Sequence, residues 1–217
     1  MLKRSWLPLL LLLFGILLPF LIFGRLIEDV WKQSGGVGLD VPILLAVHRM
    51  EQPALDTFAI YLSNLGVFWG VFPVAIAIML FLLSKRYWHK LAYWLTVLGG
   101  SIVINLTLKQ LIHRVRPHLW QSPAPEFDFS FPSGHAMSSM TLVMALIILT
   151  WKTRLRMPIA VVGITFVVLV GWARLYLGVH YPSDIVAGWT VSIAWAVGVG
   201  FLINPIVKKR LFVKVNR

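Results

Sequence analysis

LAYWLTVLGGSIVINLTL, residues 91–108, contains no Asp, Glu, Lys, Arg or His and runs straight into Lys109. A helix needs about 20 apolar residues to cross the hydrocarbon of a bilayer. Backbone amides in lipid must find partners within their own segment, so an apolar run of this length reads as a helix and not as a barrel strand. Five more stretches share the pattern: 7–23, 58–84, 136–150, 157–173 and 185–207, all free of charged residues and histidine. The 217-residue chain is 59% hydrophobic and 13% charged, with a mean hydropathy of +0.82. The expected fold class is all-α: a polytopic membrane protein with six transmembrane helices, built as a single domain over 1–217.

Charge position sets the expected orientation. If alternate connections lie on opposite sides, one side holds Lys3, Arg4, Lys85, Arg86, Lys90, Lys152, Arg154, Arg156, Lys208, Lys209, Arg210, Lys214 and Arg217, and no acid. The other side holds Arg25, Lys32, Arg49, Lys109, Arg114, Arg116 and Arg174 together with all eight acidic residues. The positive-inside rule makes the first side cytoplasmic, with both termini there, in a plasma (inner) membrane. The net charge of +12 is then an orientation signal. Nucleic-acid binding is a poor reading, because the basic residues flank spans and are split among four segments. Absence of cysteine excludes disulfides, thiol catalysis and cysteine-ligated metals. The N-terminal Lys3-Arg4 and apolar run have the outline of a signal peptide. No small-residue cleavage site follows, so the segment is expected to remain as the first span.

The connections are unequal. The turns 85–90 and 151–156 are short. The segment 24–57 is long, external and mixed: Ser34 to Gly38 is a flexible stretch, Asp40 before Val41-Pro42 suits an N-cap, and 43–50 reads as a short amphipathic interfacial helix. It is either a connector or a partial lid over a lipid cleft. Trp6, Trp31, Trp88, Trp120 and Trp151 fall near expected span ends, as interfacial anchors do. The triplet Asn105-Leu106-Thr107 lies within a span and is discarded as a glycosylation site.

Three polar clusters interrupt the oily chain: Lys109 with Arg116-Pro117, Pro132-Ser133-Gly134-His135, and Arg174 with His180 and Asp184. Counting spans brings them together. The third span ends near Lys109, the fourth begins at the Pro-Ser-Gly-His turn, the fifth ends at Arg174 and the sixth begins near Asp184. All four helix ends therefore lie at one membrane face, outside by the charge rule. If the helix continues past Lys109, Arg116 shares its face about 10 Å further along, and Pro117 ends the helix there. Both cations can contact phosphate, Arg in bidentate fashion. Free amides at Ser133 and Gly134, on a helix N-terminus, make an anion site, and Arg174 adds a third cation.

The spacing of His180 and Asp184 allows the carboxylate to accept from one ring nitrogen, leaving the other free to attack phosphorus. His135 would then protonate the departing oxygen, and water would hydrolyse the phosphohistidine. Clustered cations stabilise the phosphoryl oxygens without a divalent ion. His113, Arg114 and His118 have no required role and read as solvated or headgroup contacts. Glu126 and Asp128 could suggest a metal pair, but no third ligand stands at a suitable spacing, so no metal or other cofactor is expected.

These residues, in this order and spacing, resemble the three-part signature of the type 2 phosphatidic acid phosphatase family. The signature covers 109–184 and the span pattern extends the likeness over most of the chain. The resemblance implies a metal-independent phosphatase with His180 as nucleophile, Asp184 assisting it, His135 as acid, and Lys109, Arg116, Ser133, Gly134 and Arg174 as phosphate ligands. It departs from many members at Ala173, where those have Ser. The implied substrates are lipid phosphates or pyrophosphates: phosphatidylglycerophosphate, phosphatidic acid or undecaprenyl pyrophosphate. The expected partners are thus the lipid substrate and membrane lipids, with no nucleic acid. A lipid phosphotransferase sharing the phosphohistidine is one alternative. A phosphate or anionic-lipid transporter is another, disfavoured because the spans carry no charge.

Overall fold

Apolar periodicity resolves into helices throughout the computed structural model, which describes residues 6–32 and 37–203. The basic residues Lys3, Arg4, Lys208, Lys209, Arg210, Lys214 and Arg217, and positions 34–36 of the expected flexible stretch, lie outside the described residues. The elements in order are α1 (Leu7–Leu12), a π turn (Leu13–Leu17), α2 (Leu18–Lys32), α3 (Asp40–His48), α4 (Pro53–Leu65), α5 (Val71–Ser84), α6 (Trp88–Ile112), α7 (Gly134–Leu149), α8 (Arg156–Tyr176) and α9 (Pro182–Ile203). Among the described residues, four helical stretches are long and apolar enough to cross a membrane: Leu9–Lys32, Trp88–Ile112, Arg156–Tyr176 and Pro182–Ile203. The protein is an integral membrane protein.

The centre is α7, which packs against α6, α8 and α9. Tyr93, Trp94 and Val97 of α6, Leu142 and Ala145 of α7, Ala196 and Val199 of α9, and Val71 and Leu82 of α5 form the largest buried cluster. Polar ends of buried rings are satisfied: the Tyr93 hydroxyl donates to the Ala196 carbonyl at 3.2 Å, and Trp94 Nε1 to the Ala75 carbonyl at 3.1 Å. The opposite faces expose Phe72, Val103, Val161 and Val162, a surface suited to lipid. The stretch α1–α2 leans on α9, and α4 on α8.

The structure departs from the expected elements in four places. The apolar stretch 58–84 is not one continuous helix but falls across two, α4 and α5. Gly66 is pressed between neighbours, where an added Cβ would lie 2.8 Å from Val170 and 3.4 Å from His135, and one at Gly70 would meet the Leu65 carbonyl oxygen at 2.3 Å. Pro73 sits in the first turn of α5, a place that needs no N–H donor. Second, the segment 24–57, expected to be a connection outside the membrane, is in part a continuation of the first helix. The first span continues as helix to Lys32, with Glu28 paired to Arg25 at 3.0 Å and to Lys32. Third, Asp40 is the first residue of α3 and not its cap, which is Leu39. Its carboxylate is held elsewhere, and α3 starts before residue 43. Fourth, α6 stops at Ile112. His113 adopts a left-handed conformation, φ 52°, and returns its N–H to the Lys109 carbonyl at 3.1 Å. Lys109 therefore ends a helix while Arg116 sits in the loop, so they do not share a helical face. Trp120 stacks on His48 with ring centroids 4.0 Å apart.

Candidate active site

Four helix ends converge as expected, and the contacts say how. Ser133 caps α7, its hydroxyl accepting from the Ala136 N–H at 3.4 Å. Its own N–H donates to the Asp184 carbonyl at 3.1 Å, tying the start of α7 to the start of α9. Gly188 permits this approach, since a Cβ there would lie 3.0 Å from the Ser133 carbonyl oxygen. Asn105 Nδ2 donates to the Pro132 carbonyl at 3.0 Å and so clamps the Pro-Ser-Gly-His turn onto α6.

The three cations are buried. Lys109, in the last turn of α6, is 8% exposed, Arg116 is 6% and Arg174 is 2%. Arg174 Nη1 donates to Ser63 Oγ at 2.7 Å, so α4 orients the guanidinium at the end of α8. Arg116 donates through Nη1 to the Val179 carbonyl at 2.6 Å and through Nε to the Asp128 carbonyl at 2.8 Å. Two acids of the 113–133 loop reach these cations. Asp128 pairs with both Lys109 and Arg116. Burial alone would raise the Asp128 carboxyl, but the hydrogen bonds and charges of Lys109 and Arg116 outweigh it and hold it below its ordinary range. Glu126 bridges the arginines, 2.7 Å from Arg116 Nη2 and 2.5 Å from Arg174 Nη2, with its carboxylate 4.0 Å from His180 Nε2. Both acids are thus paired with the buried cations.

His180 is 1% exposed and lies between α8 and α9. Arg116 Nη1 stands 3.1 Å from its Nε2. Arginine can only donate, so Nε2 accepts and the ring proton belongs on Nδ1. Nδ1 faces Asp184 Oδ2 at 3.4 Å. The tautomer is thereby chosen: Nε2 carries the lone pair on the side where Glu126 and the arginines meet. Burial, followed by the charges of Arg116, Arg174, Lys109 and His135, holds this imidazole well below its ordinary pKa of 6.5. His135 stands at the start of α7.

The depressed pKa has a measurable consequence for stability. The folded chain binds this proton less readily than the unfolded chain, so between about pH 6.5 and the lower folded value stability falls as pH falls. The melting temperature of the purified protein in detergent is expected to drop on going from about pH 7.5 to about pH 5.5. The slope should be shallower in His180→Gln, which has no proton to take up; equal slopes would contradict the assignment.

Arg114 lies elsewhere than expected. It is 3% exposed and ion-paired with Asp40 at 2.8 Å and with Asp184, so it is not a solvated residue. His113 and His118 are exposed. Ala173, the point of departure from the family pattern, is fully buried among Ala59, Leu62 and Val170.

Long helices around a pocket of cations and imidazoles define a membrane-embedded phosphatase. The chain belongs to the PAP2 superfamily, which residues 90–205 match. A phosphatidylglycerophosphatase B of Bacillus subtilis is 30% identical over 190 residues, 82% of this chain and 88% of that protein. An undecaprenyl-diphosphatase of Sulfolobus acidocaldarius is 26% identical over 182 residues, 82% of this chain and 84% of that protein. The crystal structure of a transmembrane PAP2-type phosphatidylglycerolphosphate phosphatase from Bacillus subtilis superposes with a TM-score of 0.74 at 27% identity, covering 92% of this chain and 97% of that one.

Proposed function

We propose that the protein removes phosphate from lipid phosphates or pyrophosphates through a phosphohistidine on His180, without a metal. The observation that carries this reading is the clasp of Arg116 and Arg174 around a carboxylate in front of His180 Nε2. A phosphoryl group that displaces Glu126 meets the same two guanidinium forks and has its phosphorus facing the Nε2 lone pair. Lys109, the Ser133 hydroxyl and the Gly134 N–H complete the set of donors around its oxygens; the Ser133 N–H, expected to be free, is instead given to the Asp184 carbonyl.

The steps follow from that pose. Nε2 attacks phosphorus and the bond to the lipid oxygen breaks, while His135 gives a proton to the departing oxygen. Asp184 steadies the positive charge that develops on the His180 ring. Water then attacks the phosphohistidine, His135 takes its proton, and inorganic phosphate leaves. Three cations offset the charge on the phosphoryl oxygens throughout, which is the service a divalent ion performs in other phosphatases.

The lipid part of the reading is supported by an apolar groove of about 880 Å³ between the first span, α6 and α9. Phe20, Phe23, Ile104, Leu108 and Trp195 line it, and Leu108 directly precedes Lys109. A hydrocarbon tail lying there would have its headgroup at the cradle. The relatives act, by their names, on phosphatidylglycerophosphate and undecaprenyl diphosphate, and both are substrate candidates for this chain. Orientation follows from the charge asymmetry: six spans in a single domain, termini in the cytoplasm and the site on the extracytoplasmic side of the inner membrane.

The test is release of inorganic phosphate by purified protein in excess EDTA, across phosphatidylglycerophosphate, phosphatidic acid, undecaprenyl pyrophosphate and a water-soluble phosphate ester. Turnover of at least one lipid, undiminished by the chelator and faster than the soluble ester, is expected. Transfer of the phosphoryl group to a second lipid with no free phosphate would favour the phosphotransferase instead.

A further inference from the structure

Two buried charges have no place in the phosphate cradle. Asp40 and Arg114 are each 3% exposed. Placing charges this deep is costly unless their partners are well arranged. Here the arrangement leads to the catalytic pair. Asp40 Oδ1 accepts the Ser183 N–H at 2.9 Å. Its Oδ2 accepts the Ser183 hydroxyl at 2.5 Å, the Val37 N–H at 2.9 Å and Arg114 Nη2 at 2.8 Å. Arg114 Nη1 donates to Ser183 Oγ at 2.7 Å and to Asp184 Oδ1. The guanidinium lies over the Tyr181 ring, 4.3 Å from its centroid. Asp184 Oδ2 accepts the Tyr181 N–H at 2.8 Å and faces His180 Nδ1 at 3.4 Å.

Read outward from the histidine, the order is His180, Asp184, Arg114, Asp40. Asp184 can orient His180 only if its own carboxylate cannot turn. One oxygen is fixed by the backbone of the same turn, and the other by Arg114. A guanidinium is directional only when its fork is held at both tines, and Asp40 holds the second. Asp40 also grips the first turn of α9, through Ser183, from the helix that begins α3. The segment between the first span and α4 is thereby neither a bare connector nor only a cover.

We propose that Asp40 and Arg114 are positioning residues that hold Asp184 at the angle His180 requires, so that α3 is a working part of the active site. The proposal rests on His180 being the nucleophile, and its test separates the two ideas. kcat and KM are measured for phosphate release from phosphatidic acid in detergent micelles, for Asp40→Asn, Asp184→Asn, the double variant, Arg114→Lys and His180→Ala. Asp40→Asn keeps the shape and loses the charge. It is expected to lower kcat about 10- to 100-fold, the cost of a small misplacement of a catalytic group, with KM within about two-fold of the parent. Arg114→Lys keeps a cation without the fork and should fall in the same range.

The deciding readout is non-additivity. In the Asp184→Asn background, Asp40→Asn should cost little more, because the group it positions is already disabled. A purely structural Asp40 would weaken both backgrounds equally and raise no such coupling. Should Asp40→Asn not purify as a folded protein, Ser183→Ala removes one hydroxyl from the network without touching a charge, and is read in the same cycle with a smaller but equally non-additive loss. Unchanged kcat in Asp40→Asn, or full additivity with Asp184→Asn, overturns the proposal. Retained turnover in His180→Ala would instead bring down the assignment of the nucleophile.

Discussion

His180→Ala is expected to lower kcat by at least about 10,000-fold, with the protein still folded and still binding substrate. The reasoning is local. His180 Nε2 stands 4.0 Å from the Glu126 carboxylate on which Arg116 and Arg174 converge, and its tautomer is set by the Arg116 donor on one side and Asp184 on the other. Neutrality is secured by burial and by the surrounding cations. Alanine removes the proposed nucleophile and leaves the cations in place, so substrate affinity should change far less than turnover. Steady-state phosphate release together with lipid binding to the purified variant checks both halves. Loss of both in equal measure would mean that the residue holds the pocket together and performs no chemistry.

The second large effect belongs to Arg174. Arg174→Ala is expected to lower kcat/KM by about 1,000- to 100,000-fold, in the range found for arginines that meet a transferring phosphoryl group. Its guanidinium is 2% exposed, fixed by Ser63 and by Glu126, and aimed at the site from the end of α8. Nothing needs to reorganise when charge develops on the phosphoryl oxygens, which is why such a donor matters more here than at a surface. Arg174→Lys should recover only part of the loss, since a point charge cannot replace two parallel N–H groups. A variant within about ten-fold of the parent would show that Arg116 and Lys109 suffice.

Much of this site could be read from the chain before any coordinates. The apolar runs located the helices, and counting them brought Lys109, Ser133, Arg174 and Asp184 to one end. Ser133 was legible as a helix start because a small hydroxyl residue before an apolar run satisfies orphan amides. What escaped depends on distance and context. The break between α4 and α5 hides in the composition, because Gly66 and Gly70 look no different from other glycines of the spans until their neighbours are known. Pro117 signalled the end of a helix, but the left-handed His113 ended it earlier. Asp40 and Arg114 are 74 positions apart, so no local pattern relates them. Ser63 and Asn105 did leave a trace: each is a polar residue within an apolar run, where such groups tend to have an assigned partner. Glu126 and Asp128 were set aside as an incomplete metal pair, and the pairing they make with Lys109, Arg116 and Arg174 escaped because it joins the 113–133 loop to two helix ends.

Glu126 has one more consequence. Being covalently joined to the pocket, under the proposed reading it would compete with every incoming or departing anion as a tethered rival, at an effective concentration of order millimolar. Orthophosphate left behind after each cycle must contend with that rival for the same forks, whereas a lipid ester brings the additional grip of its tail. The pocket should accordingly discharge its small product readily while still admitting a dilute substrate, so that turnover would persist as the product builds up around the membrane.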